Sequence, residues 1–118
     1  DFIGQILPTV KKDENSDEKI ITYEFTPGPF TNIMEKAYKD PANMYYLVIE
    51  EINRGNAPAI FGEIFQLLDR DETGSSKYAV VNYQVANAMY GDENYPVKIP
   101  SNLTILATMN TSDQNVFT

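Results

Sequence analysis

The sequence has no cysteine, no histidine and no tryptophan. Without Cys there can be no disulfide, thiolate nucleophile or thiolate-bound metal. Without His, a Ser-His-Asp triad and imidazole-bound zinc are excluded. Positive charge is scarce too: 9 Lys+Arg stand against 17 Asp+Glu, a formal net charge of −8. Affinity for nucleic acid comes largely from Lys and Arg, so a phosphate-binding surface spread over these residues is not expected, whereas a bound cation or a basic partner fits. No run approaches the ~18 apolar residues of a membrane span. The start, Asp1-Phe2-Ile3-Gly4-Gln5, has neither an initiator Met nor a basic n-region. It is expected to be the start of a segment cut from a longer chain, not a signal peptide, and a cytoplasmic origin is expected.

The 118 residues, 42% of them apolar, make one domain or a piece of one. Six Phe and eight Tyr can supply a core. Residues 11–19 are all polar, which predicts a solvated loop or hairpin tip. Ile21, Tyr23 and Phe25 then alternate with Thr22 and Glu24, as in a half-buried strand. Thr26-Pro27-Gly28-Pro29 breaks it. Phe30, Ile33, Met34 and Ala37 fall on one face of a helix over 30–39 that ends before Asp40-Pro41. Met44 to Ile49 is apolar without alternation, which predicts a central strand buried on both faces. A second helix is expected from an Asn56 cap, with Ile60, Phe61, Ile64, Phe65 and Leu68 as its stripe. Residues 75–101 suggest an irregular hairpin insertion: a strand at Tyr78–Tyr83, a turn at Tyr90-Gly91-Asp92 and a strand at Val97–Ile99. Leu103 to Met109 predicts a further apolar strand. Buried strand, helix, hairpin and buried strand together predict parallel sheet pieces in an α/β fold.

The chemistry concentrates where Leu47-Val48-Ile49 runs into Glu50-Glu51. An apolar strand ending in two acids delivers carboxylates to the carboxyl edge of a parallel sheet, where α/β folds bind ligands. Adjacent strand residues point to opposite faces, so the pair is not a facing glycosidase or aspartic-protease dyad. It suits a division of labour. Glu50 can hold a hydrated Mg²⁺ while Glu51, at the bend, orients or deprotonates an attacking water. Two solvated charges ending a strand are the plainer alternative.

Glu50-Glu51-Ile52-Asn53-Arg54 resembles the Walker B motif and its extension in AAA+ NTPases of the MoxR-like and McrB-like branches. Ala107-Thr108-Met109-Asn110-Thr111-Ser112-Asp113 resembles the sensor 1 region of McrB, the GTPase subunit of methylcytosine-dependent restriction systems. Its Met-Asn-Thr-x-Asp pattern is absent from MoxR proteins. Ile60-Phe61-Gly62-Glu63 and the Pro-Gly-Pro-Phe before the first helix match the McrB family as well.

The resemblance spans essentially the whole chain. It implies a partial AAA+ P-loop NTPase core, parallel strands with flanking helices and β-hairpin insertions. Residues 1–118 would be its central fragment, with the phosphate-binding loop upstream and the arginine-finger segment downstream. It implies Glu50 as the metal acid, Glu51 as the water-activating base and Asn110 as the sensor 1 amide near the γ-phosphate. Asn53, Thr111 and Asp113 belong to the family signature, and Arg54 would lie near a subunit interface or pair with the neighbouring acids. The cofactor would be Mg²⁺ with GTP or ATP. The full-length protein would form a homo-oligomeric ring, partner a McrC-like nuclease subunit and meet DNA through another domain. A MoxR-type ATPase and a non-catalytic AAA+-like interaction module are the alternatives.

Two departures qualify this. Glu50 stands where the family usually has Asp, one methylene shorter. No G-x-x-x-x-G-K-[ST] loop occurs, so these 118 residues alone are expected neither to bind nor to hydrolyse nucleotide. Asp13, Asn15, Asp17 and Glu24 mimic a calcium loop, but Glu18 occupies the position that needs Gly. The tyrosines at 45, 46, 78, 83, 90 and 95 come without interleaved Lys or Arg, which predicts core and hairpin packing over base stacking.

Overall fold

The computed structural model describes residues 2–51 and 62–109, apart from the side chain of Glu63. Strands β1 (Gly4–Lys12) and β2 (Lys19–Pro27) form an antiparallel ribbon in register from Gly4↔Pro27 to Lys12↔Lys19. The polar stretch is its tip, closed by Asp13 N–H to Glu18 O at 3.0 Å and Asn15 N–H to the Asp13 carboxylate at 3.0 Å. β1 is not signalled by the apolar pattern because Pro8 interrupts it, and a two-stranded ribbon, all edge, tolerates proline. At the base, Gly4 has φ 143°, and a Cβ there would overlap the Phe25 ring.

One face of the ribbon carries Ile6, Pro8 and Val10 opposite Phe25, Tyr23 and Ile21. The alternation in β2 suggested half-burial, yet Ile21 is 66% and Tyr23 71% exposed. Only the base of the ribbon meets the helices. Lys11 pairs with Glu24 on the opposite face.

Helix α1 (Pro29–Lys39) follows Gly28, with Pro29 at the first turn, where its missing N–H costs nothing. Phe30, Met34 and Ala37 are fully buried and Ile33 partly so, as the periodicity predicts. The chain turns through Asp40 into β3 (Tyr45–Ile49), which pairs in parallel with β4 (Leu103–Ala107) from Tyr45↔Leu103 to Ile49↔Ala107. The expected parallel pairing is present. The expected burial on both faces is not. Tyr45, Leu47, Ile49, Leu103 and Ile105 meet the core, while Tyr46 is 56% and Val48 53% exposed. No described element covers that second face.

Gly62–Leu68 forms a 3₁₀ helix. It buries Ile64 and Leu67, while Phe65 is exposed and Leu68 only partly buried. The predicted stripe is thus wrong at Phe65 and misses Leu67, because a three-residue turn brings positions i and i+3 to one side. Asn56, Ile60 and Phe61 lie outside the described residues.

The strand expected at Tyr78–Tyr83 is reduced to the Val80↔Val97 bridge, and helix α2 (Tyr83–Tyr90) begins at its end. Its caps explain the difference. Asn82 accepts the Val85 N–H at 3.0 Å, and Gly91, φ 69°, ends the helix in the left-handed conformation. Val85, Ala86 and Met89 then pack with α1. Of the predicted hairpin pairing only the isolated bridge Val80↔Val97 remains, and a second bridge, Arg70↔Ser76, precedes it. Tyr90 is partly buried, meeting Tyr38 edge-on and Tyr95 tilted, each with ring centroids 4.6 Å apart. Tyr46, Tyr78, Tyr83 and Tyr95 are exposed, so core packing holds for only part of the tyrosine set.

Polar side chains bolt these pieces together. Buried Asn102 donates through Nδ2 to the carbonyls of Ala37, Asp40 and Asn43 at 2.9, 3.1 and 2.8 Å, joining the end of α1 to the start of β4. Ser76 Oγ bridges Leu67 O and the Ile99 N–H at 2.6 and 2.8 Å. Asn102→Ala should therefore lower stability by about 2 kcal/mol, read as a lower denaturation midpoint at unchanged m-value.

Beside this knot, the Asp40 carboxylate accepts from the Tyr45 hydroxyl at 2.7 Å and from Asn43 Nδ2 at 2.9 and 3.0 Å. The Tyr45 and Asn43 bonds hold Asp40 below the usual carboxylate value, and the bond to Asp40 holds Tyr45 above the usual phenol value. Stability from Asp40 is present above about pH 3.9 and lost as pH falls through its lowered folded value. Stability from Tyr45 is present below about pH 10 and lost as pH rises through its raised folded value. Thermal melts across pH should show Asp40→Asn flattening the acid limb of the curve and Tyr45→Phe flattening the alkaline limb.

Candidate functional site

At its carboxyl end the β3/β4 ladder delivers Glu50 and Glu51. The Thr108 N–H donates to Ile49 O at 2.9 Å, continuing the ladder one rung past Ile49↔Ala107. The Glu51 N–H then donates to Thr108 Oγ1 at 2.8 Å. Glu51 has φ 53°, and it is the one non-glycine residue with a positive φ among those described. The left-handed conformation costs an L-residue about 1–2 kcal/mol, while a hydrogen bond returns about 0.5–1.5 kcal/mol net. The Thr108 hydroxyl therefore offsets much of the strain at Glu51.

Both carboxylate residues are exposed at this edge. β3 ends at Ile49, and Glu50 and Glu51 both lie in the turn that follows, where only Glu51 takes the left-handed conformation. The described residues contain no group of three or more acidic side chains able to cage a cation by themselves. Glu50 offers a single hard oxygen donor group. That donor chemistry fits Mg²⁺ held largely by phosphates and water, which needs only one or two protein carboxylates. Asn53, Arg54, Asn110, Thr111 and Asp113 lie outside the described residues. β4 ends at Ala107 and the described chain continues to Met109, so the edge reached by Glu50 and Glu51 is also the edge to which β4 runs.

Thr108 is the functional candidate that pattern reading missed. In Leu103 to Met109 it passes for a β-branched strand former. Its position one rung beyond the last apolar pair was the available signal. A separate cleft of about 580 Å³ runs along the other edge of β4, lined by Phe65, Leu68, Arg70, Leu103, Ile105 and Ala107. It includes neither acid. Arg70 crosses its end, donating to Gly74 O at 2.7 Å and Leu103 O at 2.8 Å, with burial holding its pKa below the usual guanidinium value. This is a structural tie that fastens the 70–74 turn to β4.

Among the described residues no helix is long and apolar enough to cross a membrane. No protein-family model matches the chain. Two curated proteins are similar to it. One, named Type II restriction enzyme BsuMI component YdiS, from Bacillus subtilis (strain 168), is 47% identical over 105 residues, 84% of this chain and 30% of that protein. The other, named Type IV methyl-directed restriction enzyme EcoKMcrB subunit, from Escherichia coli (strain K12), is 30% identical over 89 residues, 75% of this chain and 18% of that protein. The chain thus spans less than a third of either relative's length, and its similarity is to proteins of restriction systems.

Proposed function

We propose that these residues form the Walker B and sensor 1 section of a McrB-type AAA+ nucleoside triphosphatase, the motor subunit of a DNA restriction system. The observation that carries this is the parallel β3/β4 pair, followed on one strand by Glu50-Glu51 and on the other by Thr108, which is bonded to Glu51. The restriction-system names of the two relatives support it. The 118 residues would be the middle of one P-loop domain, its phosphate loop and arginine-finger segment supplied by other parts of the chain.

The chemistry would be hydrolysis of GTP or ATP. Glu51 takes a proton from water as the water oxygen attacks the γ-phosphorus, and the bond to the leaving nucleoside diphosphate breaks in line. Glu50 holds Mg²⁺, which when bound with the nucleotide neutralises charge on the phosphate oxygens. Asn110 donates from its amide toward the γ-phosphate and the water, and Asn53, Arg54, Thr111 and Asp113 border the nucleotide or a neighbouring subunit. A homo-oligomeric ring, a McrC-like nuclease partner and DNA bound through another domain complete the proposal. A non-catalytic AAA+-like module is the second reading, favoured by Glu50 in place of the usual Asp.

The two acids separate these readings in the full-length protein. Glu51→Gln keeps size and hydrogen bonding but removes the base, so turnover should fall by at least ~10²-fold with nucleotide binding nearly intact. Glu50→Gln should raise the Mg²⁺ concentration needed for half-maximal rate, because it weakens a cation site and leaves the proton acceptor in place. Steady-state hydrolysis against Mg²⁺ concentration measures both. Wild-type turnover in Glu51→Gln would sink the catalytic reading, and identical Mg²⁺ curves for the two variants would sink the division of labour.

A further inference from the structure

We infer that Thr108 is a positioning residue that sets the direction of the Glu51 carboxylate by holding the Glu51 backbone in its left-handed bend. This deepens the proposed function and rests on Glu51 being the water-activating acid. The inference comes from how the β3/β4 ladder ends. In a regular parallel ladder a residue donates its N–H to one neighbour and accepts, through its own carbonyl, from the N–H two positions further along the same neighbouring strand. Thr108 follows the first half of that pattern, donating to Ile49 O at 2.9 Å. In the second half its hydroxyl substitutes for its carbonyl: Glu51 N–H meets Thr108 Oγ1 at 2.8 Å.

The substitution has a geometric consequence. A side-chain acceptor is displaced from the line of main-chain carbonyls, so the Glu51 amide can be satisfied while the chain leaves the sheet. Glu51 does leave it, with φ 53° where a continuing strand would have a strongly negative value. A non-glycine residue held in this region at a reaction centre is strain that the surrounding structure must fix. Here a fixing atom belongs to the residue just past β4, 57 residues away in sequence. A general base acts only within hydrogen-bond reach of its proton, so a bend that swings free would misplace the carboxylate without altering its chemistry.

Three substitutions in the full-length protein test this, with Mg²⁺-GTP and Mg²⁺-ATP as the probes. Thr108→Val keeps the branched shape and removes the acceptor; kcat should fall ~10- to 100-fold while nucleotide affinity and KM change by less than ~3-fold. Thr108→Ser restores the oxygen and should return kcat to within ~3-fold of wild type. In a Glu51→Gln background, Thr108→Val should lower the single-turnover rate no further, because the residue acts through the carboxylate that is already gone. A merely structural threonine would instead lower affinity with rate, would not be rescued selectively by Ser, and would add its loss to that of Glu51→Gln. Should Thr108→Val fail to fold, Thr108→Ala is read by the same criteria. Wild-type kcat in Thr108→Val, alongside a dead Glu51→Gln, overturns the positioning role and leaves the proposed function standing. Wild-type turnover in Glu51→Gln overturns both.

Discussion

The parallel pairing of β3 with β4 is the constraint on which the other features depend, and it is held at both ends by side chains, not by strand length. Five rungs of ladder join segments 58 residues apart, a costly closure for so few main-chain bonds. At the entry end, the Tyr45 N–H donates to Asn102 O at 2.8 Å, and the Asn102 amide gathers the carbonyls that finish α1. At the exit end, Thr108 engages both Ile49 and Glu51. A slip of one residue would turn Leu47 and Ile49 outward and bring Tyr46 and Val48 in. It would also carry Thr108 off Glu51. Fold and candidate site therefore share one register.

The apolar surface left over is unevenly placed, and in two coherent stripes. Parallel strands are ordinarily covered on both faces, whereas here Tyr46, Val48 and Leu106 are exposed opposite the face that meets the core. The ribbon repeats the pattern with Ile6, Val10, Ile21 and Tyr23. Scattered exposed apolar residues need no explanation, but contiguous stripes on regular elements do. A central section of a larger α/β domain would leave such surfaces, and the chain spans 30% and 18% of its two relatives. The uncovered second face of β3 thus fits the proposed division of one nucleotide-binding domain among several parts of a longer chain.

The elements legible in the sequence were those whose signals are local and redundant. α1 declared itself through Pro29, its Phe30-Ile33-Met34-Ala37 face and the Asp40-Pro41 stop. β3 did so through an unbroken apolar run and β4 through a largely apolar one, and the acids after β3 followed from that. α2 was lost because Val80, Val81 and Tyr83 imitate a strand, although Asn82 and Gly91 were caps in plain view. Burial was less legible than structure. Which face of β2 or β3 would be covered depends on neighbours that no local pattern encodes, so Tyr23 and Val48 were misjudged. Thr108 escaped notice because its importance comes from a partner 57 residues away.

Two adjacent carboxylates can be given different tasks only if the backbone distinguishes them. In an uninterrupted strand Glu50 and Glu51 would simply project to opposite faces of the sheet, and one of them would be directed away from any ligand at its edge. The positive φ at Glu51, two residues past the Ile49↔Ala107 pair, breaks that alternation. Glu50, the first residue after β3, has no such left-handed backbone. Glu51 is re-aimed by the bend, which is what the proposed base would require. In the proposed function, the extra methylene of Glu50 relative to Asp bears on metal holding alone, since it lengthens that side chain and leaves the bend at Glu51 untouched. What separates the two acids is a backbone conformation, and the hydroxyl of Thr108 is the group seen holding it.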